Sequence, residues 1–361
     1  MTIQDRSNLP TTLAEKRAAL RPLEDRGEVL ETPLALLRAY RFTPQSVAFV
    51  RNSNPYPEGT ETLEAPSMTG TLEVGGLIGR PFTLDLADLA SFPLREVEAV
   101  MQCAGNGRAF YRDAHLIEGC QWGRGGVMNV LWGGVPLSAL LADSHVLADA
   151  RFLTATGGDG DGDGFEKSVP LADALDVGIV AYRMNGEALG GVHGGPARLL
   201  VPGFYGTVNV KWLRKLTLTR DETSHEAQQE RYRTLHPDGR RTPCWRQLLK
   251  SVIWTPEEGE IVRGTVTFSG CAFNDGRSSI SKVELSVDGG RSWSEATLEV
   301  ESSRFGWRRW ELVATLARGE HEVWCRATDE HGVTQPLDPE DDWNPDGYEF
   351  NAADKVRFEV R

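Results

Sequence analysis

Hydrophobic and polar positions follow two patterns along this chain, and the change between them divides it. From about Pro33 to Leu235 the apolar runs are short and broken by glycine. Residues 46–50, 70–74, 96–102, 151–155, 177–182 and 198–201 read as strands. In one of them Val97, Ala99 and Met101 alternate with Glu96, Glu98 and Gln102. Short helices are expected near Leu86 and Leu137, the second with Pro136 at its first turn. Mixed short strands and helices imply an α+β unit. From about Ser251 onward the period becomes two: Val266 and Phe268, Val283, Leu285 and Val287, residues 310–312, 321–325 and 357–360. Asp288-Gly289-Gly290 is a tight hairpin turn. About seven short strands in this stretch predict an all-β immunoglobulin-like sandwich. The predicted organisation is an N-terminal arm (1–32), wrapping or poorly ordered, a catalytic unit (33–240) and the sandwich (251–361), joined by residues 236–250.

A length of 361 residues fits two domains, and 40% apolar with 25% charged residues fits a soluble globular protein. A net charge of -13 argues against nucleic acid as the main partner. No run of 18 apolar residues predicts a membrane span, and no export signal is visible, so a cytoplasmic location is expected. The cysteines, Cys103, Cys120, Cys244, Cys271 and Cys325, are widely spaced without a Cys-x-x-Cys, which fits neither a disulfide framework nor a zinc site. Four read as buried packing.

Cys103 reads differently. It ends a strand and enters Ala104-Gly105-Asn106-Gly107, with Arg108 five residues on. Further chemistry-bearing stretches follow in order: Phe49-Val50-Arg51-Asn52, Trp122, residues 181–187 (Ala-Tyr-Arg-Met-Asn-Gly-Glu), His193-Gly194-Gly195-Pro196-Ala197-Arg198, Val201-Pro202-Gly203-Phe204-Tyr205-Gly206, and Val210-Lys211-Trp212-Leu213. Together with Trp343-Asn344 near the end, these resemble the motifs of the sulfite oxidase family, over roughly residues 33–361.

The resemblance implies a molybdenum–molybdopterin cofactor with Cys103 as the metal's protein ligand; a soft thiolate suits that metal. It implies that Asn52, Asp159, His193, Arg198, Asn209 and Lys211 bind the pterin and its phosphate, the cations through charge-assisted hydrogen bonds. Arg51 and Arg108 would orient the oxyanion, Trp122 would wall the pocket, and Tyr232 would manage the proton. Asp159, Asp161, Asp163 and Gly164 also match the start of a calcium loop, but Pro170 stands at the twelfth position and calcium is rejected.

The chain departs from the family at Ser53, in place of a histidine, and at Gly107, in place of an arginine; Lys355 is the candidate for a cation sent to the pocket by the second unit. Neither haem nor flavin is expected, since no motif for either is present. The implied activity is oxidation of sulfite to sulfate, with electrons passing to an external acceptor such as a cytochrome, in a homodimer assembled through the sandwich. Nitrate or sulfoxide reduction with the same cofactor is the second reading, and a cofactor-free binding protein the third.

Overall fold

The computed structural model describes residues 9–111, 117–160, 164–236, 238–338 and 344–361. Asp161, Asp163 and Trp343 therefore lie outside the described residues.

Among the described residues the first unit holds three sheets and a two-strand ribbon, Arg233–Leu235 with Arg241–Pro243. Strands Arg95–Gln102, Val127–Pro136 and Ile179–Met184 run antiparallel in one, with Arg198–Leu200 also pairing Ile179–Met184. A second sheet has the order Phe82–Asp85, Thr71–Gly76, Leu213–Thr219, Phe152–Gly157, Glu166–Pro170. Within it only Thr71–Gly76 and Leu213–Thr219 run parallel. Val130, Trp132, Leu153, Val180, Leu199 and Leu216 belong to a single buried cluster fed by both sheets. Burial of this apolar surface supplies the main drive for folding the unit.

Two strand expectations shift. Residues 46–49 form a turn, because the amides of Val47 and Ala48 both donate to the Pro44 carbonyl; the strand is Val50–Asn52. Val177 ends the helix Leu171–Val177, whose last bond is closed by the Gly178 amide on Ala174, and the strand starts at Ile179.

The arm is folded onto the first unit from Leu9. Its helix Leu13–Ala19 opens with a capping box between Thr12 and Glu15. Strand Glu28–Glu31 then pairs with Val50–Asn52, and Leu20, Leu30, Val47 and Val50 share a small core. This sheet carries Arg51 and Asn52, so the arm fixes part of the site.

The second unit is two stacked sheets. One has the order Lys250–Thr255, Thr265–Phe273, Arg308–Thr315, Thr297–Leu298. The other has the order Ile261–Val262, Asp354–Val360, Gly319–Asp329, Ile280–Ser286, Ser294–Glu295. Ile253, Val266, Phe268 and Trp310 from the first meet Val283, Leu285, Val323 and Phe358 from the second in one core. The predicted turn at Asp288-Gly289-Gly290 is present, with φ of 72° and 81° at its glycines.

The units are joined by more than the connector. Leu37, Val100 and Val127 of the first pack with Val252, Trp254, Phe273 and Trp307 of the second. Arg124 pairs with Asp354 at 2.7 Å, and Asp354 also accepts from the Ile253 amide at 2.8 Å. Among the described residues no helix is long and apolar enough to cross a membrane.

Candidate cofactor and substrate site

A cleft opens in the first unit. Arg51, Asn52, Cys103, Asp159, His193, Arg198, Asn209, Lys211 and Tyr232 line it, drawn from stretches far apart in sequence; Arg108 and Trp122 do not.

Cys103 stands at the end of strand Arg95–Gln102, where the chain must turn. Its amide donates to Gly126 at 2.8 Å, and its carbonyl accepts from Asn106 at 2.9 Å, which curls the loop. The thiol is half-buried at the cleft. Burial pushes its pKa up, against the Gly105 amide, Arg51 and Arg108, which favour the thiolate. Among the described residues no cluster of three His, Cys, Asp or Glu side chains is set to hold a metal.

Cations also line the cleft. Arg198 is 3% exposed and donates to the carbonyls of His193 at 2.7 Å and Asn209 at 2.6 Å. Burial alone takes its pKa down to about 9. Lys211 bonds the Asn52 side-chain oxygen, and burial, followed by Arg198, drives its pKa well below the ordinary lysine value. His193 is held neutral by burial and by Lys16, whose ammonium lies 3.2 Å from its Nε2. Lys16 itself donates to the carbonyls of Gln45 and Ala48, each at 2.6 Å.

Buried cations disfavoured by desolvation are stabilised when an anion enters. Unpartnered buried donors point to the same need: Arg198 Nε, Asn52 Nδ2 and Thr207 Oγ1 have no hydrogen-bond partner among the described residues. Asp159 offers the complementary acceptor. Its carboxylate takes bonds from Asn54 at 3.0 Å and the Phe165 amide at 3.2 Å, and it reaches the cleft wall. A group with a phosphate at one end and amine-bearing rings in the middle fits these residues.

Arg51 lies between Asp25, at 3.1 Å, and the cleft. Burial disfavours its charge, but Tyr232, Cys103 and Asp25 outweigh burial and raise its pKa. Tyr232 adopts a left-handed backbone, φ 56°, and its ring meets Phe165 and Tyr348.

Three positions differ from expectation. Trp122 is 0% exposed and sits one layer behind the wall, edge-on to Phe49 at 5.7 Å. Phe49 lines the cleft in its place, because an indole this large gains most from full burial. Arg108, 6% exposed, is turned away: it donates to the carbonyls of Cys120 and Asp346, each at 3.1 Å, under the Tyr348 ring. It acts on Cys103 as a charge and does not touch the cleft. Asn209 lines the cleft, but its side chain is spent on the backbone of Val201, Phe204 and Tyr205.

The departures have structural counterparts. Ser53 stays on the cleft wall. Gly107 has φ 96°, and a Cβ there would lie 2.7 Å from Phe350 and 3.2 Å from Lys250 Nζ. Lys250 thus supplies a buried cation beneath the loop. Lys355 does not reach the cleft; its ammonium lies 4.0 Å from the Trp324 ring centroid. Sequence reasoning missed Lys16, Thr207 and Tyr348. Thr207 follows directly on a quoted motif and was within reach; Lys16 and Tyr348 carried no local signal.

Residues 62–227 match the model of the oxidoreductase molybdopterin binding domain, and residues 241–360 that of the Mo-co oxidoreductase dimerisation domain. Sulfite oxidase of Gallus gallus is 34% identical over 338 residues, covering 87% of this chain and 72% of that protein. The chain belongs to the sulfite oxidase family. Mitochondrial sulfite oxidase of Mus musculus is 33% identical, covering 96% of this chain, which spans 66% of that relative's length. Among solved structures, the sulfane dehydrogenase SoxCD from Paracoccus pantotrophus superposes with a TM-score of 0.82 at 28% identity, covering 100% of this chain and 95% of that one. The match to the molybdopterin binding domain falls within the unit that contains the cleft, leaving Phe49, Arg51, Asn52, Ser53 and Tyr232 outside it, and the match to the dimerisation domain covers the two stacked sheets.

Proposed function

We propose that this protein is a molybdenum-cofactor enzyme that oxidises sulfite to sulfate and passes the electrons to a separate acceptor such as a cytochrome. The observation that carries the reading is the make-up of one cleft: a single thiol on its wall together with buried cations and unpartnered donors. The bound cofactor supplies two-electron redox chemistry and oxygen-atom exchange.

Arg198, Lys211 and Asn52 hold the anionic end of the cofactor, and Asp159 accepts from its ring nitrogens. Cys103 fixes the reactive end. Arg51 orients the sulfite dianion, and Arg108 raises the positive potential behind the loop without contact. Phe49, with Trp122 behind it, keeps the wall dry. Tyr232, on the cleft wall, would handle a proton, since adding one oxygen from water to sulfite releases two. The stacked sheets are read as an immunoglobulin-like sandwich that pairs two copies of the chain. Support comes from the match to a dimerisation domain.

The test is molybdenum analysis with sulfite-dependent ferricyanide reduction on the same sample. Near-stoichiometric metal with turnover is expected, and Cys103→Ser abolishes turnover with the fold intact. Metal without sulfite turnover removes the substrate assignment.

A second reading has an observation of its own. With Arg108 turned away, the arginines on the cleft wall are Arg51, already paired with Asp25, and Arg198, which donates to two backbone carbonyls. A less cationic pocket suits a less charged sulfur substrate, and the superposed structure is named a sulfane dehydrogenase. Turnover with a persulfide but not with sulfite decides for this reading.

A further inference from the structure

The loop after Cys103 cannot hold one course by itself. Between Cys103 and Arg108 it contains Gly105 and Gly107, the second with φ 96°. Glycine backbone is permissive, so many conformations are open to such a loop. Inside it the Asn106 amide donates to Cys103 at 2.9 Å, and the Arg108 amide to Gly105 at 3.0 Å. The other two carbonyls are taken by the second unit. The Glu349 amide donates to Ala104 at 2.8 Å, and the Lys250 ammonium donates to Asn106, also at 2.8 Å. Arg108 in turn donates to the Asp346 carbonyl, in the same 344–350 segment as Glu349.

Of these ties, Lys250 is the one made by a side chain of the second unit. Its backbone belongs to the strand Lys250–Thr255, which pairs with Thr265–Phe273. The residue is 5% exposed, and its ammonium lies 5.3 Å from the Phe350 ring centroid. Among the described residues the Asn106 carbonyl is the ammonium's one hydrogen-bond acceptor. A buried ammonium with a single acceptor is poorly compensated for its lost hydration, and a methionine of similar length would avoid that cost. Gly107 leaves room for it, since a Cβ there would lie 3.2 Å from Nζ. Lys250 does not line the cleft. Its place is that of a fastening under the loop, out of reach of a substrate in the cleft.

We infer that Lys250 is a positioning residue for Cys103: from the second unit its ammonium pins the Asn106 carbonyl and fixes the loop that presents the thiol to the cleft. This rests on the reading of Cys103 as the cofactor's ligand, and it extends the support of that ligand to the dimerisation domain. A thiol on a loop free to shift would meet the cofactor in several geometries, of which few are productive.

Two measurements on the full chain test it. Amide hydrogen exchange in the cofactor-free protein is followed over residues 103–108, with Thr265–Phe273 as control because that strand pairs with Lys250's own. Lys250→Met removes the donor at similar length. It is expected to speed exchange over 103–108 about fivefold, the scale of one net hydrogen bond, with the control unchanged. Steady-state kinetics of the cofactor-loaded enzyme follow. Lys250→Met should lower kcat for sulfite about tenfold at unchanged KM, because the loop bears on the reacting centre and not on capture of the anion. Unchanged exchange over 103–108 overturns the proposal, and so does equal acceleration in the control, which would mean general loosening. An unchanged kcat overturns it as well; with a raised KM it would mean that Lys250 acts only as a charge collecting the anion. If the wild type does not turn over sulfite, the proposed function falls while the exchange result still decides the role of Lys250. If Lys250→Met fails to fold, Lys250→Leu carries both measurements.

Discussion

Arg51 enters the cleft with a carboxylate already at its side. Asp25 comes from the arm and partly cancels the charge available to an anionic substrate. Asp25→Asn should therefore lower KM for sulfite about threefold or more at low ionic strength, an effect that shrinks as salt is added. An unchanged KM would mean that Arg51 does not meet the anion. At this scale the sequence named residues that the fold brings to one cleft. Cys103, Arg198 and Lys211 could be picked out because their neighbours formed motifs in a fixed order. Trp122 and Arg108 were named from the same motifs and stand behind the wall. Side-chain direction depends on what else fills the space, here Phe49 and Tyr348, and a linear motif does not encode that.

Buried lysines show what elements can force on a side chain. Lys250 begins a strand of the second unit, yet its ammonium lies under the cysteine loop, donating to Asn106 at 2.8 Å. Lys167, in strand Glu166–Pro170, donates to Ala227 at 2.8 Å beside the Tyr232 ring. Burial takes both pKa values down to about 7. Unfolded lysine titrates near 10.4, so between about pH 7 and pH 10 the unfolded chain binds more protons than the folded one. Stability of the cofactor-free protein should then rise with pH across that window, by at most about 1.4 kcal/mol per pH unit for each lysine. Urea unfolding at successive pH values checks this, and Lys167→Met or Lys250→Met should flatten the slope. Gly107 is bound by the same crowding. Gly107→Ala must both keep φ at 96° and displace Phe350, and should cost about 1–3 kcal/mol by urea unfolding. Strand and hairpin positions were legible wherever period two was clean. The slips, at residues 46–49 and at Val177, came where a local turn or a short helix satisfied the backbone first.

The whole molecule depends on a joint between two cores. Arg124 and Asp354 meet there, with side chains 12% and 7% exposed, and Asp354 also anchors the Ile253 amide. Arg124→Met leaves a carboxylate buried without its partner, which should cost about 3–5 kcal/mol. Calorimetry checks the size, and it also tests cooperativity: if the joint couples the units, the variant should unfold in two steps where the wild type unfolds in one. A loss confined to one step, with the wild type already biphasic, would mean that the units are energetically separate. The segment 344–350 adds a second tie, placed at the reacting end of the cleft.

Legible in the sequence alone were the division into a glycine-broken α+β unit and a period-two β unit, the family, and the residue types proposed to hold an anionic, thiolate-ligated cofactor. Those are local properties: alternation, turn chemistry and motif order survive in a linear string. Only the tertiary structure decided which cations face the cleft, that the arm is built into the site through Lys16, Asp25 and the strand beside Arg51, and that Tyr348 reaches across from the second unit. Each of these is set by contacts between residues far apart in the chain. The outcome there depends on which side chain wins a shared volume, and no single stretch of sequence carries that competition.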